Sequence, residues 1–371
     1  MRSNIDIALF LPSLSRGGAE KVFLALSGLF VQHGLNVDLL VAQPTGIRQA
    51  RIPDGVKLIC LGKSKPSRSV PALVRYLRDN RPKVVLSALT HANIALVIAH
   101  KFSNVESRLV LSERTNLANA LSRYGSNLDA WLTKLLARQF YPLADAIVAV
   151  SQGAAISLIQ TLRLSTNDVS VIYNPVFFEK INESARESIK FPWDDSLPVM
   201  ISAGRLSNEK DFPMLMRSFT ELQKQLPAHL VILGEGEERV HLERLANKFG
   251  IAKNVWLPGY IGNPYPYIAR ANLFVLSSRF EGLPNVLIEA LALNVPVVST
   301  RCPSGPEEIL DNGRYGHLVP VGNDAALTEA MAKSLNGENP RFDRLEALER
   351  FDHEKVTNEY LRVLGFKNLE A

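Results

Sequence analysis

Residues 197–215 read LPVMISAGRLSNEKDFPML. The apolar run LPVMISAG reads as a strand, and helical spacing takes over near 210–225, so GRLSNEKD is a strand-to-helix loop. The stretch decides the fold because it is a second beginning. Before it, strand-like runs (IDIALFL, NVDLLVA, VKLIC, KVVLSAL, RLVLS, AIVAV, VSVI) alternate with helical segments at 18–33, 69–80, 91–103, 127–141 and 152–163. A turn-rich passage, YNPVFFEK to FPWDDSLP, interrupts them. The rhythm then restarts with LPVMISAG and continues through HLVILG, NVWLPG, NLFVLS, VPVVST and GHLVP, with helices near 237–249, 284–293 and 323–335 between them.

Strands alternating with helices predict a parallel sheet covered on both faces. Two such series predict an α/β protein of two Rossmann-like, doubly wound domains facing each other across a cleft. The break lies near 175–195: residues 1–178 form the first domain and 179–351 the second. A helical tail, 352–371, is expected to return to the first domain. The architecture repeats but the sequence does not, so no solenoid is implied. Ligands of such sheets bind at the carboxyl ends of strands, and the loops there are the place to look for chemistry.

The 371 residues are 46% hydrophobic and 21% charged, an ordinary balance for a soluble protein. No apolar run approaches the roughly 18 residues of a membrane span. The N-terminal IDIALFLP is too short for a signal peptide. Cys60 and Cys302, far apart, make neither a disulfide framework nor a metal cluster, which points to a reducing, cytoplasmic setting. Charge is uneven: residues 1–190 hold 23 Lys/Arg against 13 Asp/Glu, and residues 191–371 hold 19 against 24. Between Arg48 and Lys83 ten basic residues face only Asp54 and Asp79. That cluster attracts anions, whether phosphorylated substrates, acidic membranes or nucleic acid; a plain solvated face is the alternative.

Some motifs are decoys. LGEGEERV (233–240) resembles a dinucleotide fingerprint, but Arg239 stands where its third glycine belongs. GKS (62–64) lacks the P-loop glycine five residues earlier, where Lys57 stands. HExxH, GxSxG and DxD do not occur.

Three loops remain. Gly17 and Gly18 open the first helix, with Arg16 beside them, and their bare amides suit either an anion or a tight turn. Arg205 and Lys210 share the loop quoted above, where a diphosphate clamp competes with surface solubility as the explanation. Arg supplies a planar fork and Lys a mobile point charge. The third loop, SSRFEGLPNVLIEA (277–290), places Pro284 at a first helical position. The Gly282-Leu283 turn and the amides of Asn285 and Val286 then stand at a positive helix end. Glu281 precedes them and is placed to accept hydrogen bonds from sugar hydroxyls. Glu289 lies deeper, where an ionised carboxylate needs donors such as ribose hydroxyls. A helix-end charge and a surface carboxylate are the simpler alternatives for these two.

The E-x7-E spacing of FEGLPNVLIE, with GRLSNEKD upstream, resembles the retaining family 4 glycosyltransferases of GT-B fold. SRGGAEKV, SERTN (112–116), YNPV (173–176) and CPSGPEEIL (302–310) support the resemblance along nearly the whole chain. It implies that the second domain binds a nucleotide-sugar donor and the first an acceptor. Arg205 and Lys210 would hold the diphosphate, helped by amides at Gly17–Gly18 and Leu283–Val286. Glu281 would contact the donor sugar, Glu289 the ribose, and Gly259-Tyr260 the base, with a UDP-sugar favoured. Glu113 and Arg114 would face the acceptor. His91 follows a first-domain strand where some relatives place a histidine near the reacting sugar; packing or capping is its alternative. No cofactor or metal is implied, and the anomeric configuration would be kept.

Two basic helical segments, RSVPALVRYLRDNRP (68–82) and NLDAWLTKLLARQFY (127–141), carry apolar stripes that suit either core packing or an anionic membrane. The relatives this sequence most resembles build lipid-linked glycans in bacteria, which implies a polyprenyl-diphosphate-linked acceptor and a peripheral position on the inner face of the cytoplasmic membrane. A nucleotide-sugar epimerase of the same fold and a silent sugar-nucleotide-binding subunit are the competing readings. Nucleic acid ranks last, since the basic region lacks any recognised module for it.

Overall fold

The computed structural model describes residues 5–15, 17–122, 127–193 and 196–366. The chain folds into two compact units, Met1–Pro175 together with His353–Ala371, and Val176–Asp352.

The first unit is a seven-stranded parallel sheet. Its strands are β1 (Ile7–Leu11), β2 (Val37–Val41), β3 (Val56–Cys60), β4 (Val84–Ala88), β5 (Arg108–Glu113), β6 (Ala146–Ala149) and β7 (Val169–Val171), in the order β3-β2-β1-β4-β5-β6-β7. Successive side chains of a strand point to opposite faces, and both faces here are covered. Ala8, Phe10, Leu40, Val85 and Leu111 pack on one side with Leu73, Leu77 and Leu96. Ile7, Leu9, Leu11, Leu39 and Val110 pack on the other with Phe23, Leu26 and Phe30. The C-terminal helix His353–Leu364 joins this second layer through Val356, Tyr360, Leu361 and Leu364. Fully burying one such aliphatic or aromatic side chain contributes about 1.5–3 kcal/mol, so four of them hold the returning tail to the unit.

The second unit is a six-stranded parallel sheet of β8 (Val199–Ala203), β9 (His229–Leu233), β10 (Val255–Gly259), β11 (Leu273–Leu276), β12 (Val297–Thr300) and β13 (His317–Val319), ordered β10-β9-β8-β11-β12-β13. All thirteen strand readings made from the sequence coincide with these elements. Short helices were not legible: Leu117–Leu121, Phe178–Ser184, Tyr265–Ala269, Pro306–Ile309 and Arg344–Leu348 span two turns or fewer, too few to show a period. The passage read as turn-rich is partly a helix of the second unit. Phe178–Ser184 buries Ile181, and Asn263 Nδ2 donates to Ser184 O at 3.0 Å.

In each sheet the order runs outward from a central strand in both directions, reversing between β1 and β4 and between β8 and β11. Ligands of open parallel sheets bind beyond the carboxyl ends of strands at this reversal. The loops after β8 and β11 therefore stand side by side.

Candidate active site

The loops after β8 and β11 are fastened to each other. Ser277 Oγ donates to Lys210 O at 2.7 Å, and Arg279 N donates to Glu209 O at 2.8 Å. Arg279 Nε donates to Asp211 Oδ2 at 2.8 Å. Asp211 is buried, at φ 45, and its side chain also accepts from Met214 N, capping the helix Phe212–Leu222. A non-glycine residue rarely takes this left-handed conformation, and Asp is among those that tolerate it through local hydrogen bonding.

These fastenings bring Lys210 Nζ to 2.6 Å from Glu281 Oε1, with both side chains mostly withdrawn from solvent. Ser278 Oγ donates to the same oxygen at 2.6 Å, and Glu281 N donates to Pro303 O at 2.8 Å. Oε1 thus takes two donors, whereas Oε2 has no hydrogen-bond partner among the described residues. Arg205, in the same loop as Lys210, is exposed, and its guanidinium makes no hydrogen bond or ion pair among the described residues. Cys302 lies close enough to feel both charges. Burial, and next the negative charge of Glu281, push its thiol up to about 12. It stays a neutral thiol at physiological pH.

Pro284, predicted from the sequence to be the first helical residue, is instead the N-cap of the helix Asn285–Ala292, which begins one residue later. Its ψ of 93° is extended, and Leu287 N donates to Pro284 O at 3.0 Å, as an N-cap carbonyl should accept. Asn285 and Val286 therefore open the helix, where the first amides lack intrahelical acceptors. Gly282 and Leu283 are buried against Gly305: a Cβ on Gly305, at φ 94, would meet Pro284 Cδ at 2.7 Å and Leu283 Cα at 3.0 Å. Glycine at 305 is what lets the CPSGPEEIL segment close on this turn.

Glu289 is half-buried, and Tyr265 Oη donates to its Oε1 at 3.5 Å. Burial, then the charge of Glu289, raise the Tyr265 hydroxyl above its ordinary value. The carboxylate in an apolar helix thus has a phenol as its neighbour, from the short helix that the sequence did not reveal. Gly259 ends β10 at φ 88 and its carbonyl accepts from Gly234 N at 2.9 Å; Tyr260 after it is exposed. The glycines of LGEGEERV have a structural use. A Cβ on Gly234 would fall 1.8 Å from Gly204 O, so only glycine lets the loop after β9 pass the loop that carries Arg205.

In the first unit, Gly17 caps the helix Gly18–Gln32, and the mouth of that helix already holds a carboxylate. A Cβ on Gly17 would fall 2.2 Å from Glu20 Oε2, and Ser15 Oγ donates to Glu20 Oε1 at 3.3 Å. Glu20 is the third helical residue, from which a Glu side chain reaches back toward the cap, so its presence there was legible in GGAE. Arg16 lies outside the described residues.

Glu113 and Arg114, expected to face an acceptor, are instead buried within the first unit. Glu113 accepts from Tyr141 Oη at 2.8 Å, Thr90 Oγ1 at 3.0 Å, Thr115 Oγ1 at 3.2 Å and Arg114 N at 3.2 Å. Burial outweighs these bonds and raises its pKa. The Arg114 guanidinium donates to Tyr360 Oη at 3.2 Å and to Asn174 Oδ1, while Nε has no partner among the described residues. Burial lowers its pKa. The sequence placed both at a strand end correctly but had no signal for the helix and tail that cover them.

His91 is the second residue of the helix Thr90–Ser103 and is exposed at its edge. Desolvation by the surrounding protein, then the charge of Lys65, hold its pKa below the ordinary imidazole value, with Asp129 opposing. The ring is neutral at pH 7. Among the described residues no group of three or more His, Cys, Asp or Glu is arranged to hold a metal ion.

Paired parallel-sheet units, with a cation-carboxylate pair and an unengaged arginine at the strand ends of one of them, define a class of two-unit α/β proteins with a cationic strand-end site. Comparison with known proteins makes the class specific. Residues 16–180 match the family described as Glycosyltransferase Family 4, and residues 197–337 match Glycosyl transferases group 1. An uncharacterised glycosyltransferase of Methanocaldococcus jannaschii is 30% identical over 78% of this chain and 80% of its own. An N-acetylgalactosamine-N,N'-diacetylbacillosaminyl-diphospho-undecaprenol 4-alpha-N-acetylgalactosaminyltransferase of Campylobacter jejuni is 29% identical over 96% of this chain and 99% of its own. Among solved structures, Anabaena HepE in complex with UDP-glucose superposes with a TM-score of 0.77 over 97% of this chain and 99% of that one, at 18% identity. The chain belongs to the family 4 glycosyltransferases and has the GT-B fold.

Proposed function

We propose that this glycosyltransferase moves a sugar from a nucleotide-sugar, a UDP-sugar in the first instance, to a hydroxyl of a glycan carried on a lipid diphosphate. The setting is the assembly of a bacterial surface glycan at the inner face of the cytoplasmic membrane. In this reading the second unit takes the donor and the first the acceptor. The similarity to a Campylobacter enzyme whose substrate is a diphospho-undecaprenol supports the acceptor. The likeness to HepE, solved with UDP-glucose, is a likeness of fold, and it makes UDP the first nucleotide to try.

The observation that carries the reading is the state of Glu281 and Arg205. Lys210 and Ser278 fix one carboxylate oxygen of Glu281 and leave the other to accept from a sugar hydroxyl. Arg205 offers an unengaged planar fork to phosphate oxygens. Lys210 has two further ammonium protons for the same diphosphate while it holds Glu281. With two cations on the leaving group, transfer needs no metal in this proposal. The bond from the anomeric carbon to the diphosphate oxygen breaks, and the acceptor oxygen bonds to that carbon on the same face. The acceptor proton passes to a departing phosphate oxygen, and the configuration is kept. The protein stabilises charge on the nucleotide and orients the two partners. Amides of the turn Gly282–Leu283 and of Asn285 and Val286 assist the phosphates. Those of Gly17 and Gly18 do so when Glu20 swings aside. Glu289 exchanges the Tyr265 hydroxyl for the ribose, Gly259 and Tyr260 flank the base, and His91, neutral, lies toward the sugar.

Calorimetric titration of UDP, GDP and ADP in EDTA, against the unaltered chain and Glu289→Ala, tests this. UDP is expected to bind, more weakly to the variant. Absence of binding by all three nucleotides would remove the donor site.

A further inference from the structure

The helix Asn127–Phe140 is turned the opposite way from a core helix. It exposes Leu128, Trp131, Leu132, Leu135 and Leu136, with Leu128 at 63% and Trp131 at 57%, and it buries the small residues Thr133 and Ala137. The five exposed residues follow i, i+3, i+4, i+7, i+8 spacing and form one continuous apolar stripe. Five large apolar side chains contiguous on a surface mark an interaction site. The helix is held by other means: it packs on the helices Thr90–Ser103 and Gln152–Leu162, and Arg138 Nε donates to Thr161 O at 2.9 Å. Of its large apolar side chains, Phe140 packs against the core of the first unit, and the five of the stripe are not part of that core.

The surroundings are basic. The helix Thr90–Ser103 packs against both this helix and the turn Pro66–Ser69. Around that turn Lys63, Lys65, Arg68 and Arg75 are all exposed. Lys65 and Asp129 both act electrostatically on His91, so the basic turn and the start of the apolar helix share one neighbourhood. A second copy docking through this face would bring like charges together, whereas an anionic lipid surface complements them.

We propose that the Leu128–Leu136 stripe is a membrane-docking face: Trp131 and the leucines enter the boundary between headgroups and acyl chains of an anionic bilayer, while Lys65, Arg68 and their neighbours meet the lipid phosphates. Insertion is shallow, about 5–10 Å, and no described helix is long and apolar enough to cross a membrane. The inference rests on the reading of a lipid-borne acceptor and adds to it the face that meets the lipid. Indole at the water–lipid interface is a favourable arrangement, since the ring is apolar and its N–H polar.

The test is co-sedimentation of the full chain with vesicles of equal parts phosphatidylglycerol and phosphatidylcholine, and with vesicles of phosphatidylcholine alone. The chain is expected to bind the anionic vesicles, less so in high salt. Leu132→Gln/Leu135→Gln should lower the partition coefficient at least about tenfold. Tryptophan emission should shift to the blue on binding, and Trp131→Phe should abolish that shift. Unchanged partition of the double variant would overturn the proposal, as would binding without an emission shift. Sedimentation velocity identifies the rival occupant: a dimer that the double variant converts to monomer, with no vesicle binding, assigns the stripe to self-association and overturns the lipid assignment. UDP titration of the same samples keeps two failures apart. Lost vesicle binding with UDP binding intact refutes the docking face alone. Vesicle binding with no binding of UDP, GDP or ADP upholds the face and refutes the donor-site reading alone.

Discussion

Glu281 and Glu113 invite comparison, because both stand at the carboxyl end of a parallel strand and the sequence assigned both to ligand contact. Glu281 has a lysine and a serine on one oxygen and, among the described residues, nothing on the other. Glu113 has four donors, none of them a charged side chain, and is sealed from solvent. Their environments divide them. A carboxylate that keeps an unengaged oxygen beside mobile cations can serve a substrate. One saturated by a tyrosine and two threonines serves the scaffold, and burial raises its pKa because its hydrogen bonds do not offset the lost solvation.

The sharpest break in this comparison comes from substitution. Lys210→Ala and Glu281→Ala are each expected to lower kcat/KM for transfer by about a hundredfold to a thousandfold, with little change in melting temperature. Near-normal turnover in either variant would take that residue out of the catalytic site. Glu113→Ala should do the reverse. It strands the Tyr141 and Thr90 hydroxyls in the core and should cost about 2–4 kcal/mol in urea unfolding, while the molecules that remain folded keep their transfer activity within a few-fold. A large loss of activity at full stability would restore Glu113 to the acceptor site.

Glu289→Ala should weaken UDP binding about tenfold, the size of one lost hydrogen bond to a charged group; undiminished affinity would take Glu289 out of the donor site and leave it a structural partner of Tyr265. The smallest effect concerns His91. Its imidazole should titrate below the ordinary range by NMR, Lys65→Ala should raise the midpoint and Asp129→Asn should lower it. A folded value below the unfolded one means that the native state binds fewer protons. His91 therefore withdraws stability as pH falls below about 6.5 and has no effect above it. A midpoint at or above the ordinary value would contradict the crowded setting.

The two basic amphipathic helices show where legibility stopped. Both 68–82 and 127–141 carry leucines at helical spacing with cations between them, and the sequence left core and membrane open for each. In the helix Val70–Asn80, Leu73 and Leu77 are buried in the core of the first unit. In Asn127–Phe140 the equivalent leucines face solvent. Periodicity records that a stripe exists, and the direction it faces is set by what lies on either side. Likewise, the loops carrying Lys210 and Glu281 could each be read alone, but the Ser278 bond and the Arg279–Asp211 tie, which set their spacing, join residues of those loops to which the sequence assigned no role.

The sequence by itself determined the two series of strands, the strand-end loops that hold Arg205, Lys210 and Glu281, and the family. These are local properties: apolar period, glycine placement and the chemistry of short segments. The tertiary structure decided that Glu113 and Arg114 belong to the interior, that Tyr265 meets Glu289, and that one leucine stripe points outward. Burial and pairing depend on residues far apart in the chain, whose proximity no local pattern encodes.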